Sequence, residues 1–258
     1  MNPTLATIHD LRSTHGDFSD RPVVNADLEA VLAAAVRAAN ASNAQNYAIV
    51  VCTGKPRITE LVGRPAAVVL VFCVDLQRNI DLAHHLGCTY AGDPAWTLLT
   101  GSTDVALAAQ TAVIAARSLG IDSLISNGVQ RGDPRRIWTL LDLPPRNCFP
   151  LLTVALGYAK TPAEHRVGRL SEPGVIHREK YHHRDAATCE RILEITDTEA
   201  FGGPGEPWRA QGHAHFLSAF FAGPGKRALQ AYGKLAPALR QSGIDVRACD
   251  PTTAGSAT

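Results

Sequence analysis

Several features that mark membrane, secreted or nucleic-acid-binding proteins are missing from this sequence. Its 258 residues carry a formal net charge of only +1 at pH 7, so no basic field points to nucleic acid or to an anionic membrane surface. No uninterrupted apolar run approaches the roughly 18 residues of a transmembrane helix, and the N-terminus lacks a basic segment followed by an apolar core. We therefore expect a soluble, cytoplasmic protein with no nucleic-acid or membrane partner.

Cysteine is scarce and scattered. The cysteines stand singly, no two form a Cys-x-x-Cys pair, and several lie inside apolar runs, where a thiol behaves as a small hydrophobic side chain. This usage is typical of a reducing cytoplasm. The six cysteines are Cys52, Cys73, Cys88, Cys148, Cys189 and Cys249.

The common catalytic motifs are also absent. No Gly-x-Gly-x-x-Gly string follows a predicted strand, so the dinucleotide-binding fingerprint is missing. Gly223-Pro224-Gly225-Lys226 has the look of the end of a phosphate loop, but Arg227 replaces the required Ser or Thr, and we interpret the segment as a turn. No Gly-x-Ser-x-Gly elbow of a hydrolase is present. Any chemistry is therefore expected to come from a cofactor.

Histidine pairs and one arginine cluster leave alternatives open. His84-His85, His182-His183 and His213-Ala214-His215 could supply metal ligands if folding gathered them. They lack the i, i+4 spacing that places two imidazoles on one helix face, so surface histidines are the favoured interpretation and no metal site is predicted. Residues 131–136, Arg-Gly-Asp-Pro-Arg-Arg, could hold a phosphate, although such a cluster is more often the solvated first turn of a helix.

Apolar periodicity predicts both helices and strands. Asn25 is a plausible N-cap for an amphipathic helix. The apolar face of that helix is predicted to contain Leu28, Val31, Leu32 and Ala35. Apolar runs at residues 48–52, 66–74 and 151–156 predict buried strands.

The clearest helix is predicted for residues 102–119. Ser102 can cap its start and Gly120 can close its end. Its predicted buried side, small enough for a core or a subunit interface, consists of Val105, Ala109, Ala112, Val113 and Ala116. Asp133-Pro134 predicts the cap and first residue of a further helix, which runs through Leu141.

The order of these elements predicts the fold class. Helix–strand–strand–helix–helix–strand is not a regular βαβ alternation, so we expect an α+β fold rather than a doubly wound sheet. After residue 159 the periodicity weakens, with helices predicted near 186–195 and 228–241 and a loop at 202–207. We divide the chain into a core, 1–185, a C-terminal helical extension, 186–249, and a disordered tail, 250–258.

The first fifty residues carry the strongest functional signal. Arg12-Ser13-Thr14-His15-Gly16-Asp17-Phe18 leads to Pro22-Val23, and an amide-rich turn at residues 41–47, Ala-Ser-Asn-Ala-Gln-Asn-Tyr, follows the first predicted helix. An arginine with small hydroxyls can bind a phosphate, and amides can bind the edge of a flavin ring, which has both donors and acceptors. Arg12 alone would be unremarkable, since most arginines are surface ion-pair partners.

These strings resemble the FMN-dependent nitroreductase family, and most of all its oxygen-insensitive nitroreductases and flavin reductases. The family opening is Arg-Ser-x-Arg-x-Phe followed by Pro-Val or Pro-Ile, and its next signature, Ala-Pro-Thr-Ala-Ser-Asn-x-Gln-Pro-Tyr, has the spacing of residues 38–47. Further similar segments follow in the family's order, so that the resemblance covers about residues 8–182. They are residues 104–110, 118–120, 125–128, 156–158, 168–170 and 175–181.

The resemblance implies a central mixed or antiparallel sheet flanked by helices, in an intertwined homodimer with FMN at the subunit interface. Arg12 and Arg169 would hold the FMN phosphate, since a guanidinium can bind it in a bidentate manner. Ser13 and His15 would lie along the ribityl and pyrimidine side.

The ring would be contacted by two further segments, according to the same resemblance. Ser42, Asn43 and Gln45 would come from the other subunit. The segment Ser126, Asn127 and Gly128 would approach the ring face or the N5 edge through backbone groups. Hydrogen bonds near N1 and N5 tune the flavin potential.

The implied activity is that of an FMN-dependent NAD(P)H oxidoreductase. NADH or NADPH would give hydride to flavin N5, and a nitroaromatic, quinone or flavin acceptor would then take the place of the nicotinamide. This ping-pong scheme needs positioning rather than an acid or base, so no catalytic side chain is predicted. The extension at 186–249 would complete the rim of the site. The alternative is a protein of the same fold that stores or senses FMN without efficient turnover, and a metal-dependent enzyme is a third hypothesis.

The sequence departs from the family pattern at three places. His15 replaces the second family arginine, with one extra residue before Phe18, and Val167 replaces the basic residue two positions before Arg169. NADPH-preferring relatives carry arginines in a C-terminal loop, whereas residues 192–207 contain no Lys or Arg. We therefore expect weak or absent selectivity for NADPH.

Overall fold

The computed structural model describes residues 1–15, 17–131, 133–161, 167–199, 201, 207–223 and 235–243. The chain forms two compact units, Met1–Pro162 with Gly233–Thr258, and Ala163–Tyr232. The predicted tail at 250–258 and Cys249 lie outside the described residues.

The first unit contains a four-stranded antiparallel sheet of order β1-β2-β4-β3. The strands are β1 Tyr47–Cys52, β2 Val68–Asp75, β3 Asp122–Ser126 and β4 Cys148–Gly157. The two central strands are apolar along almost their whole length because helices cover both faces of the sheet. Strands β1 and β3 therefore form the two opposite edges.

Helices connect and cover these strands. In the first unit they are α1 Pro3–His9, α2 Asn25–Ala35, α3 Lys55–Val62, α4 Gln77–His85, α5 Pro94–Ser118, α6 Arg135–Leu141 and, after the second unit, α9 Leu235–Gln241. The second unit contains the helices α7 Ala186–Thr198 and α8 Phe216–Ala222. Short 3-10 turns occupy Ala41–Asn43, Gly128–Gln130 and Arg209–Gln211.

Alternation along β2 divides the core into two layers. Leu70 and Phe72 face α2 and α5, and they pack in the larger cluster with Val105. Val69 and Val71 face the opposite side, where α3 and α6 contribute the apolar side chains of the smaller cluster. This period-two pattern explains why every residue from Val68 to Val74 is buried.

Helix α5 corrects one prediction. It begins at Pro94 rather than at Ser102, because the Asp93 carboxylate accepts the Trp96 N–H at 2.7 Å and so caps the helix. Gly101, which precedes the predicted start, is instead a contact point, since a Cβ there would lie 2.6 Å from Val74 Cγ1. The five residues predicted for its buried side are all buried.

Other boundaries differ by smaller amounts. Helix α2 begins at Asn25 with Val24 as its cap, and α6 begins at Arg135, where the Asp133 carboxylate accepts the Arg135 N–H at 3.1 Å. Strand β2 starts two residues later than predicted and β4 three residues earlier. Elements α1, α3, α4, α8 and β3 were not predicted, because each is short and its apolar period is incomplete. Of the helix predicted near 228–241, residues 235–241 are helical and the rest lies outside the described residues.

Among the described helices, the part of α5 from Trp96 to Ser118 has the length and mean hydropathy of a membrane span. In its most apolar stretch of 18 residues, 39% is buried in the protein. Its small side packs against the sheet, as in the core helix of a globular domain. Its other side carries the exposed Trp96, Leu99 and Leu107.

Candidate cofactor site

The Arg12 segment, residues 12–15 and 17–18, begins along the free edge of β3. Ser13 pairs in parallel with Ser123, and the Thr14 N–H donates to the Ser123 carbonyl at 2.9 Å. Arg12 is half-buried, whereas Ser13 and His15 are exposed. The segment therefore extends the sheet by a short edge, and its polar side chains are available to a ligand.

An ion-pair cluster fixes this segment. Arg117, in the last turn of α5, donates through Nε to the Asp10 carboxylate at 2.7 Å and through Nη1 to Asp122 at 3.0 Å. The Arg117 side chain is only 17% exposed, so solvent screens these bonds weakly. Asp122 also accepts the Ala159 N–H at 3.0 Å. One guanidinium thus ties the residue before the Arg12 segment to the start of β3.

Phe18 anchors the far end of the same segment. It is buried, pairs with Ala159, and packs its ring on Gly157, where a Cβ would lie 2.9 Å from the Phe18 ring. The glycine of Leu-Gly-Tyr is therefore needed for close approach of this ring to β4.

The amide-rich turn has an unusual backbone. Ser42, Asn43 and Gln45 have φ angles of 52°, 54° and 50°, in the left-handed region that residues with a Cβ seldom adopt. Such strain costs on the order of 1–3 kcal/mol per residue and persists only where the surroundings impose it. The side chains of all three residues are exposed.

A buried carboxylate imposes this conformation. Asp104 of α5 is 1% exposed, and its two oxygens accept the Ala41 N–H at 2.8 Å and the Asn46 N–H at 3.1 Å. From the other side, Arg78 donates to the carbonyls of Ala44 and Gln45. The turn is therefore held from two sides, while the side chains of Ser42, Asn43 and Gln45 stay exposed.

The turn after β3 uses its own side chains internally. The Ser126 Oγ accepts the Gly128 N–H at 2.9 Å, and Asn127 Nδ2 donates to the Leu151 carbonyl at 3.2 Å. A Cβ at Gly128 would lie 3.0 Å from the Ser126 Oγ, so glycine suits this position. These bonds leave backbone groups as the means by which the turn can contact a ligand.

Ser126 and Gly128 open onto a cavity of about 280 Å³. Three arginines and one carboxylate also line it, namely Arg64, Arg131, Arg136 and Glu60. Arg64 comes from the turn after α3 and donates through Nη1 to the His15 carbonyl. The turn after β3 thus lines the cavity, Arg64 links the cavity wall to the backbone of His15, and the net charge of the lining side chains is positive.

The structure brings some of the predicted residues together and separates others. Ser13 pairs with Ser123 of β3, which lies three residues, or about 10 Å, along that strand from Ser126. The amide-rich turn precedes β1, at the opposite edge of the sheet. Its anchor, Asp104, lies thirteen residues from Arg117 on α5, or about 20 Å. Within one chain the two halves of the predicted site are thus apart.

Arg169 belongs to the second unit. Its Nη1 donates to the carbonyls of Val167 at 3.1 Å and Gly168 at 2.8 Å, and the side chain is exposed. Gly168 contacts Glu199 closely, since a Cβ there would lie 2.4 Å from the Glu199 Cβ. The assignment of Arg169 to the FMN phosphate stays a prediction.

Sequence reasoning missed Arg64, Asp104 and Arg117 as parts of this site. Asp104 had one available signal, because it is an acid within the predicted apolar side of α5 and so needed a partner. Arg64 and Arg117 carried none, since their partners lie 49 and 107 residues away in the sequence.

The positions of the described His, Cys, Asp and Glu side chains bear on the alternatives of a metal site and of a reactive thiol. Among the residues that the structure describes, no group of three or more His, Cys, Asp or Glu could hold a metal ion. Cys52, Cys73 and Cys148 are free and buried. A hydrogen bond with Cys148, followed by burial, raises the pKa of Cys73 well above its ordinary value, which keeps this thiol protonated and unreactive.

Proteins of known function and structure are similar to the chain over most of its length. An FMN reductase (NAD(P)H) of Bacillus subtilis is 30% identical over 201 residues, which are 73% of this chain and 78% of that protein. An oxygen-insensitive NADPH nitroreductase of Salmonella typhimurium is 30% identical over 208 residues, 75% and 81% of the two chains. The structure of NfrA2 from B. megaterium matches with a TM-score of 0.78 at 25% identity, covering 95% of this chain and 99% of that one. No protein-family model matches the chain.

Fold and site together define an α+β protein whose cations, hydroxyls and amides suit a phosphate-bearing ring cofactor. The comparisons then place it more narrowly: the chain belongs to the nitroreductase family. The resemblance drawn from its motifs and the predicted α+β fold class are confirmed.

Proposed function

We propose that this protein is an FMN-dependent NAD(P)H oxidoreductase that reduces nitroaromatic, quinone or flavin acceptors. Relatives named FMN reductase, NADPH nitroreductase and NADPH-flavin oxidoreductase support this activity. The observation that carries it is the strained turn held by Asp104. Three left-handed residues with exposed polar side chains have no role in the core of this chain, and strain of this kind is typical of ligand sites.

The residues present fit FMN. Arg12 supplies a half-buried guanidinium for a phosphate, and Ser13 supplies a hydroxyl beside it. Asn43 and Gln45 supply amides, which can both donate to and accept from a flavin edge. Bound FMN would supply the hydride chemistry. The protein's part is to hold the ring at a fixed distance from nicotinamide and acceptor, through the backbone of Ser126–Gly128 and the contacts of His15.

The assigned roles of the remaining residues follow from the family. Arg169 would bind the phosphate together with Arg12. The C-terminal extension, residues 186–249, would form the rim of the site. We also propose cytoplasmic localisation, which the free cysteines among the described residues support.

A homodimer would complete the site. Trp96, Leu99 and Leu107 are 64%, 62% and 41% exposed, and their spacing places them on one face of α5. Exposed apolar side chains that share one face of a helix are typical of a surface that a partner covers. Because the amide-rich turn and the Arg12 segment lie at opposite sheet edges, a second copy is the simplest source of Ser42, Asn43 and Gln45.

The spectrum of the purified protein tests the proposal. A yellow protein that bleaches anaerobically with NADH or NADPH supports an oxidoreductase. A yellow protein that keeps its colour supports the alternative, FMN storage or sensing, which the exposed His15 in place of an arginine keeps open. A colourless protein unable to bind added FMN would exclude both.

Weak selectivity for NADPH is a further part of the proposal. It is supported by the absence of Lys and Arg from residues 192–207. The ratio of kcat/KM for NADPH and NADH is expected to stay below about tenfold, or ~1.4 kcal/mol of discrimination. A larger preference for NADPH would contradict this part alone.

A further inference from the structure

Arg64 occupies the corner of the site where the sequence has lost a cation. His15 stands in the place of the second family arginine, and Arg64 Nη1 donates to the backbone carbonyl of that same residue. We propose that Arg64 supplies the positive charge at the pyrimidine end of bound flavin. This inference rests on the proposed function, since it assigns a residue to the same cofactor.

The local fold directs Arg64 toward this corner. Helix α3 ends at Val62, and its C-cap, Gly63, has a left-handed φ of 71° that turns the chain away from the helix axis. The next side chain, that of Arg64, can then cross to the N-terminal segment. Arg64 is half-buried, so its charge is less screened than that of a fully exposed arginine.

Arg64 is also joined to the turn after β3. It lines the cavity of about 280 Å³ that Ser126 and Gly128 open onto. One guanidinium therefore adjoins the residue assigned to the pyrimidine side and the turn assigned to the ring face or N5 edge.

The other charges around this cavity are less suited to the role. Arg136 Nη1 donates to the Glu60 carbonyl at 2.8 Å, and so braces the end of α3. Arg131 and Glu60 are exposed at the cavity wall, where solvent screens both side chains. Their charges are of opposite sign, so together they add no net charge to the cavity.

The chemistry favours a guanidinium at the pyrimidine end. That end carries the N1–C2=O acceptors, on which negative charge accumulates when a flavin is reduced. A nearby cation binds the reduced cofactor more tightly than the oxidised one, and so raises the reduction potential. The planar fork of arginine can also donate to two neighbouring acceptors.

The test compares Arg64→Met with Arg57→Met, which replaces an exposed arginine of α3 that does not line the cavity. Dissociation constants for FMN and for riboflavin are measured by flavin fluorescence, and the two-electron midpoint potential is measured by dye equilibration. Arg64→Met is expected to bind both ligands about tenfold or more weakly. A further tenfold loss for the reduced cofactor would appear as a potential about 30 mV lower. Arg57→Met is expected to match the wild type.

Arg64→Lys serves as the second variant, because it keeps the charge and should restore most of the potential if Arg64→Met folds poorly. An unchanged potential in Arg64→Met would mean that Arg64 only braces the His15 backbone, and would overturn the inference. Weaker binding of FMN with normal binding of riboflavin would assign Arg64 to the phosphate, and would also overturn it. Failure of the wild type to bind either flavin would instead refute the proposed function itself.

Discussion

Replacing Asp104 with asparagine should separate the amide-rich turn from its anchor. Asp104 accepts two backbone N–H groups, from Ala41 at 2.8 Å and from Asn46 at 3.1 Å, and is 1% exposed. Asparagine has nearly the same shape but only one acceptor oxygen, so its NH2 group must face one of these N–H donors. One backbone donor then loses its charged partner.

The expected magnitude follows from that loss. A hydrogen bond to a charged group contributes about 1.5–3 kcal/mol, and a donor left unpaired costs a similar amount. We expect Asp104→Asn to lower the free energy of unfolding by about 2–3 kcal/mol. Without its anchor, the turn should relax from the left-handed φ angles of Ser42, Asn43 and Gln45. FMN affinity should then fall about tenfold or more, since ~1.4 kcal/mol corresponds to a factor of ten.

Urea denaturation measures the stability, and a flavin fluorescence titration without denaturant measures the affinity. Asp81→Asn is the matched control, because Asp81 is exposed and, within the described part of the chain, accepts only from Gln77 Nε2 of α4. It should change stability by less than about 0.5 kcal/mol. Wild-type stability in Asp104→Asn would refute the anchoring role. A loss of stability with unchanged FMN affinity would remove the turn from the site.

Three further outcomes are expected. Arg117→Met should lower the free energy of unfolding in urea by about 2–3 kcal/mol, because it removes the partner that Asp10 and Asp122 share. Lys55→Met is the control: the side chains of its ion pair with Asp20 are 84% and 86% exposed, so the loss should be less than about 0.5 kcal/mol. Tyr47→Phe should be neutral or stabilising at pH 7, since the Tyr47 hydroxyl is the buried side-chain polar atom without a hydrogen-bond partner in the described part of the chain. Burial, and then the charge of Asp104, raise the pKa of Tyr47, so above pH ~10 the folded state keeps a proton that the unfolded chain gives up. The free energy of unfolding of the wild type should therefore fall as the pH rises through this range. The fall should be smaller in Tyr47→Phe, which has no hydroxyl to titrate. Arg12→Ala and Arg169→Ala should each weaken FMN binding by about 1.5–3 kcal/mol in the same fluorescence titration, and unchanged affinity in both would refute the phosphate assignment.

Parts of this fold are visible in the sequence because their pattern is strong. The apolar run that became β2 and the small face of α5 were predicted from composition and spacing, and both are buried as expected. Strand β3 was not predicted, because Asp-Ser-Leu-Ile-Ser is short and half polar. The start of α5 was misplaced because Gly101-Ser102 resembles a helix boundary, whereas the glycine is there to let Val74 approach.

The candidate site shows the same division. Arg12, Ser13 and the amide-rich turn were assigned to the site through family resemblance, since the order of their motifs along the chain is specific. The interactions that hold them depend on contacts distant in sequence, such as Asp104 with Ala41, which no local pattern encodes. The left-handed backbone of Ser42 and Asn43 is equally hidden, because neither residue is a glycine.

The central claim is that one FMN site combines the Arg12 segment of one subunit with the amide-rich turn of another. Subunit complementation tests it directly. One chain carries Arg12→Ala and Ser13→Ala, the other carries Ser42→Ala and Asn43→Ala, and the two are co-expressed with different tags and purified by both. If the site is shared, the mixed dimer has one site with both defects and one intact site. It should then bind FMN tightly at half the wild-type stoichiometry, although neither variant does so alone. No recovery of FMN binding in the doubly purified dimer would contradict the claim.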